Sequence, residues 1–194
     1  MKPPRADPYA WLEAELIRGT GYWQGVVDAS TLLDMSSELC ALLFGQANST
    51  GWEPLFANRG VPVDASAAFF GHWSAHRSEF FGESWVSLDE LEAIDWSRPI
   101  RVNDAPKLIV EPEAGERYWN GRAGFPPLDT IDTEVLRHLQ RGERIAVEGG
   151  ALVRRQLRFE DAKYGTRYPL LLDLMRTLKR HSEGAVRWVV AFSE

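Results

Sequence analysis

A chain of 194 residues with 44% hydrophobic and 26% charged side chains has the composition of a globular protein and is long enough to bury a substantial core. Its formal net charge of -6 repels phosphate backbones and anionic lipid surfaces, which disfavours nucleic acid and membranes as partners. The single cysteine, Cys40, excludes an intrachain disulfide. With no secretory leader and no run of about 18 apolar residues, the sequence predicts a cytoplasmic protein.

The first segment is compatible with two kinds of element. Asp7-Pro8 before Tyr9 to Arg18 could open a helix that carries proline at its first position. Two glycines between residues 10–17 and 22–27, with aromatic and β-branched residues after them, favour a β-hairpin instead. We therefore predict the hairpin.

Two helices are then predicted from apolar spacing and stop signals. The first covers Asp34 to Phe44 and ends at Gly45. The second covers Ala67 to Phe81, is capped by Asp64 or Ser66, and ends at Gly82.

A third helix start has the pattern of a capping box. In Ser87-Leu88-Asp89-Glu90 the serine hydroxyl can accept the Glu90 amide, while the Glu90 carboxylate reaches back to the Ser87 amide. We predict a short helix that ends near Trp96.

The second half alternates strands and helices without a strict βαβ order. The predicted elements are one or two strands in 99–110, a long loop over 111–127, a helix over 129–140, a hairpin of 144–147 with 152–159, a helix over 169–181 and a strand over 186–192. The 152–159 strand has no purely apolar face, which suggests an edge or surface position, whereas 186–192 is apolar enough for a sheet interior. The fold class is α+β, with four to five helices, a mixed or mainly antiparallel sheet, and one domain over 1–194.

His72, His76 and Glu79 form the sharpest cluster of chemical groups. Offsets of four and three residues place them on one face of the predicted helix, where they could ligate a divalent ion. The metalloprotease pattern requires glutamate directly after the first histidine, and Trp73 occupies that position. The other interpretation is a polar helix face beside a groove, and no metal or cofactor is predicted.

Arg59 is the candidate for anion binding. It lies in a turn that Gly60 and Pro62 make tight, so its guanidinium could be held for bidentate capture of a carboxylate or phosphate. Alternatively, it is a structural arginine that pairs with Asp64 or donates to loop carbonyls.

The segment from Asn58 to Trp96 also resembles a known pattern. It holds the turn Arg59-Gly60-Val61-Pro62-Val63-Asp64-Ala65-Ser66 and the helix start Ser84-Trp85-Val86-Ser87-Leu88-Asp89-Glu90-Leu91. Together they resemble an uncharacterised family of small bacterial and bacteriophage proteins. The resemblance implies a bacterial or phage setting and a shared fold, but no activity.

Two functions remain open at this stage. One is a binding or regulatory module that recognises a protein partner through the 58–96 region, whose aromatic residues and arginines are of types enriched at interfaces. The other is a small hydrolase or transferase that acts on a phosphorylated or nucleotide-like ligand and could use a bound metal ion. The candidate site residues for both are Arg59, His72, Trp73, His76, Glu79 and Trp85.

Overall fold

The computed structural model describes residues 7–15, 23–28, 37–45, 52–102, 105–106, 108–112, 132–147, 150–163 and 166–193. Contacts between Cα atoms divide the chain into two compact units, Met1–Asp95 with Thr166–Glu194, and Trp96–Gly165. Both units combine helices with antiparallel strands, which confirms the predicted α+β class. The prediction of a single domain stays a prediction.

The described residues hold six α-helices and nine strands. In chain order they are β1 (Asp7–Glu15), β2 (Trp23–Asp28), α1 (Ser37–Phe44), α2 (Ala67–Ala75), β3 (Phe80–Ser87), α3 (Leu88–Glu92), β4 (Arg101–Val102), β5 (Ala105–Pro106), β6 (Leu108–Pro112), α4 (Thr133–Gln140), β7 (Ile145–Val147), β8 (Gly150–Gln156), α5 (Phe159–Lys163), α6 (Tyr168–His181) and β9 (Val186–Ser193). The helix that the sequence did not predict is the five-residue α5. Of the predicted loop over 111–127, residues 113–127 lie outside the described residues.

The first unit is built on a four-stranded antiparallel sheet with the order β2-β1-β9-β3. The pairing of β1 with β2 confirms the predicted hairpin, whose tip at 16–22 lies outside the described residues. β9 is paired on both sides, as its nearly continuous hydrophobicity predicts.

Alternate side chains of β9 lie in two separate packing layers. Val189 and Ala191 form a cluster with Phe69 of α2. Trp188, which is fully buried, has its ring centroid 5.5 Å from that of Phe44 in α1. The sheet therefore has α1 on one face and α2 on the other.

The helix starts agree with the sequence signals. The Ser66 hydroxyl oxygen accepts the Phe69 amide at 3.1 Å, so Ser66 rather than Asp64 caps α2. At α3 both halves of the predicted capping box between Ser87 and Glu90 are present. This helix ends at Glu92 and does not reach Trp96.

α2 is shorter than predicted. It ends at Ala75 and is followed by a 3-10 turn over Arg77–Glu79, whereas the sequence predicts a helix to Phe81. That prediction was wrong because Phe80–Ser87 pairs with β9 as β3. Strand pairing, with aromatic residues packed on the sheet, outweighs the helical spacing.

In the second unit β8 lies between β6 and β7 in a three-stranded antiparallel sheet. The predicted hairpin of β7 with β8 is confirmed, but the suggested edge position of β8 was wrong. Arg155 explains the difference, because it donates to both carboxylate oxygens of Asp161 at 2.7 and 3.0 Å. Because Asp161 compensates the charge of Arg155, this arginine can lie in a central strand.

Candidate functional site

The turn that carries Arg59 is fixed against β3 by backbone hydrogen bonds. The Gly60 amide lies 3.1 Å from the carbonyl oxygen of Glu83 and 3.2 Å from the side-chain oxygen of Asn58. The Arg59 amide donates to the hydroxyl of Ser84 at 3.3 Å. Gly60 has a φ of +67°, a left-handed conformation that glycine adopts readily. Arg59 thus starts from a well-defined backbone position.

The Arg59 guanidinium forms a bidentate ion pair with Glu90. Its two terminal nitrogens donate to the two carboxylate oxygens at 3.0 and 2.7 Å. Its Cζ lies 4.8 Å from the ring centroid of Trp85 and 5.6 Å from that of Phe56. Arg59 therefore has an internal ion-pair partner, as expected for a structural arginine, but that partner is Glu90 and not Asp64.

Glu90 is an unusually acidic carboxyl group. The hydrogen bond from Arg59 is the largest cause that lowers the pKa of Glu90. Hydrogen bonds from the Ser87 amide and hydroxyl lower this pKa further, while partial burial raises it. Together they lower the pKa of Glu90 from 4.5 to about 2. The same hydrogen bond raises the pKa of Arg59.

The acidity of Glu90 predicts a loss of stability at low pH. Because its pKa is lower in the folded than in the unfolded chain, its contribution is present above about 4.5 and is lost as the pH falls toward about 2. Since the side chain is 36% exposed, solvent screening reduces this contribution to about 1–2 kcal/mol. Urea unfolding across this pH range should show a smaller loss for Glu90→Gln than for the wild type.

Asp89→Asn is the matched control for that measurement, since Asp89 is an exposed carboxyl on the same helix. It should keep the acid-induced loss seen in the wild type. Parallel pH profiles for the wild type and Glu90→Gln would contradict the assigned role of the ion pair.

A second ion-pair network surrounds Arg187 of β9. Arg187 is almost completely buried and donates to Glu13 at 2.7 Å and to the Asp64 carboxylate at 2.8 Å. Its Cζ lies 3.9 Å from the ring centroid of Trp23, whose indole nitrogen donates to Asp64 at 2.8 Å. Burial raises the pKa of Asp64, but the hydrogen bonds from Arg187 and Trp23 outweigh it and leave the pKa below its ordinary value. Sequence reasoning missed this network, although an arginine inside an apolar strand was a visible signal.

Trp85 lies beside both arginines. Its ring centroid is 4.8 Å from the Cζ of Arg59 and 5.8 Å from that of Arg187. Trp85 is also partly buried against the Phe69 cluster. Its position is explained by cation–π contacts and packing within the fold.

The two histidines come together, but on an interrupted helix. The ring centroids of His72 and His76 are 4.8 Å apart, and His76 Nδ1 lies 3.1 Å from Glu79 Oε1. His76 caps the end of α2 and Glu79 belongs to the following 3-10 turn, so the predicted single helical face was wrong. Among the described residues, no group of three or more potential ligands could hold a metal ion.

Trp73 contacts three side chains on α2 and the segment that follows it. Its indole nitrogen donates to Glu83 at 2.9 Å, and the Arg77 guanidinium lies 4.7 Å from its ring centroid. The ring of Phe70, which is 49% exposed, lies 5.5 Å away. Arg77 and Glu83, together with Ser78 and Phe80, line an open groove of about 570 Å³.

The six sequence candidates thus separate into two groups. Arg59 and Trp85 belong to the ion-pair and packing layer of the sheet. Trp73, His72, His76 and Glu79 belong to α2 and the turn after it. Sequence reasoning missed Phe70, Arg77 and Glu83; the signal for Arg77 was its offset of four from Trp73.

Comparison with protein-family models, with curated proteins and with solved structures finds no match to this chain. Among the described residues, the helices are too short or too polar to cross a membrane. The function of this chain is therefore inferred from the geometry of the site.

Proposed function

We propose that this chain is a protein-binding module whose partner docks on the outer side of α2 and the turn that follows. We call this the α2 surface and define it by Phe70, Trp73, Arg77, Phe80 and Glu83. The observation that carries the proposal is the contact of Trp73 with both the half-exposed Phe70 and the exposed Arg77. Tryptophan and arginine are among the residue types that dominate binding energy at protein interfaces.

The anchoring of Trp73 in the α2 surface supports the same function. The Glu83 carboxylate accepts the Trp73 indole N–H, and Trp73 packs partly against the buried Phe69 cluster. A preformed aromatic surface loses little side-chain entropy when a partner binds.

The hydrolase or transferase alternative has less support. It requires Arg59 as an anion clamp, but both carboxylate oxygens of Glu90 already accept from that guanidinium. A phosphate would have to compete with Glu90 for both guanidinium nitrogens, and hydrogen bonds from the Ser87 amide and hydroxyl hold Glu90 in place. Binding is therefore the better interpretation of this region.

We also propose a cytoplasmic location and a bacterial or bacteriophage origin. The location follows from the single, buried cysteine, which suits a reducing compartment. The origin follows from the resemblance of the 59–66 turn and the 84–91 segment to the family of small bacterial and phage proteins.

Photocrosslinking in the native host tests the binding function. A benzophenone amino acid in place of Phe70 should form a discrete adduct with the partner, identified by mass spectrometry. Arg77→Ala, made in the chain without the photoreactive group, should weaken binding of the purified partner by about 30-fold. This is the effect of losing one interface hot spot.

Leu170 provides the matched control, because it is an exposed apolar residue of the same unit on α6. The photoreactive group at position 170 should give no such adduct. Equal labelling from both positions, or no adduct from position 70, would contradict the proposed function.

A further inference from the structure

The groove of the α2 surface holds two charges of opposite sign. The Arg77 guanidinium lies over the ring of Trp73, and the Glu83 carboxylate accepts from the indole nitrogen of the same residue. Within the described part of the chain, neither side chain has an ion-pair partner. An occupant of the groove can therefore pair with both.

The chemistry of such an occupant is well defined. It must present one anion to Arg77 and one cation to Glu83, and it must cover the aromatic ring of Phe80, which lines the same groove. Phe70, whose ring lies 5.5 Å from that of Trp73, adds exposed apolar area. A desolvated aromatic centre with charged groups around it is the usual organisation of a protein interface.

A second copy of this chain meets these requirements. In a dimer with twofold symmetry, a residue that contacts a second residue across the interface is contacted by it in return. If Arg77 of one subunit faces Glu83 of the partner subunit, the reciprocal pair forms automatically. The surface is thus complementary in charge to itself.

We propose that the α2 surface is the interface of a twofold homodimer, in which Arg77 of each subunit pairs with Glu83 of the partner subunit. This inference rests on the proposed binding function and names its partner. The paired charges fix the register of the two copies, and the aromatic residues supply the apolar contact.

Charge reversal tests the reciprocal pairs. Arg77→Glu would place two glutamates face to face, and Glu83→Arg two arginines, so each variant alone should dimerise at least about 100-fold more weakly than the wild type. An equimolar mixture of the two variants places opposite charges together at both contacts. The mixture should restore a species of twice the 21.9 kDa chain mass, with an affinity within about threefold of the wild type.

Sedimentation equilibrium from about 1 μM to about 1 mM measures these affinities. Arg180→Glu is the matched control, because it makes the same charge reversal at an exposed residue of α6 in the same unit. It should dimerise like the wild type. Arg77→Gln and Glu83→Gln, which remove a charge without reversing it, should give intermediate affinities, and circular dichroism verifies that each variant is folded.

Three results would overturn the homodimer. They are a monomeric wild type over the whole range, a dimer that survives both reversals, and a mixture that stays monomeric. A monomeric wild type whose position 70 crosslinks to a different protein would refute the homodimer and leave the binding function intact. No adduct of any kind from position 70 would refute the binding function itself.

Discussion

Replacement of Arg187 by methionine is expected to lower the free energy of unfolding by about 3–5 kcal/mol, because it leaves the buried carboxylate of Glu13 without its cation. Glu13 is completely buried, and Arg187 is only 3% exposed. Their side chains meet at 2.7 Å. In such a pair the remaining charge cannot be hydrated, which makes the loss of one partner costly.

The network around Arg187 also determines where α2 begins. The second oxygen of Glu13 accepts the amide of Ser66, the residue that caps α2, at 2.8 Å. Arg187 in addition donates to the carbonyl oxygen of Asp64 at 2.9 Å. The Glu13–Arg187 ion pair therefore joins β1 and β9 to the residues that precede α2. Its loss should loosen the α2 surface as well.

Urea unfolding of Arg187→Met measures the predicted loss, and Arg176→Met is its control. Arg176 also forms an ion pair at 2.7 Å, with Glu92, but both side chains are exposed. The control should cost less than about 1 kcal/mol. Adding Glu13→Gln to Arg187→Met should recover part of the stability, since no buried charge remains. If both arginine variants lost equal stability, the assigned role of the buried pair would be refuted.

The elements that were predicted correctly are those with local signals. The capping box at Ser87 and Glu90 involves residues three positions apart, and the two strands of each hairpin are close together in the sequence. β9 is recognisable because it is apolar on both faces. In each case the determining interactions lie within a short stretch of sequence.

The errors occurred where distant residues decide the structure. The segment after Ala75 has helical spacing, but it becomes β3 because β9, more than a hundred positions away, supplies a pairing edge. The partner of Arg187 in β1 is 174 positions away, and the partner of Arg59 is 31 away. No spacing rule within one element could have found them.

The same limit applies to the candidate site. Residue type drew attention to Arg59, Trp73 and Trp85, since aromatic residues and arginines are prominent in the region. Their roles differ, however, because Arg59 and Trp85 contact each other, whereas Trp73 contacts Arg77 at the groove. The two groups could not be separated from the sequence, because the predicted helix extends six residues past the observed end of α2 at Ala75.

Two adjacent residues of α2 should have opposite effects on stability and on binding. Phe69 is 1% exposed and packs with Val189 and Ala191, whereas Phe70 is 49% exposed. Phe69→Ala should lower the free energy of unfolding by about 3–5 kcal/mol, because it leaves a cavity between α2 and the sheet. Phe70→Ala should cost less than about 1 kcal/mol, as expected for an exposed side chain.

Urea unfolding and binding of the crosslinked partner, measured on both variants, separate the two roles. Phe70→Ala should keep the unfolding midpoint near that of the wild type and still lose partner affinity, because it removes an aromatic contact from an intact surface. Phe69→Ala should lose affinity only in proportion to its unfolded fraction and the loosening of α2. If Phe70→Ala bound its partner like the wild type, the α2 surface would not be the docking site. If it unfolded as readily as Phe69→Ala, the side chain would belong to the core, and an effect on binding would reflect instability.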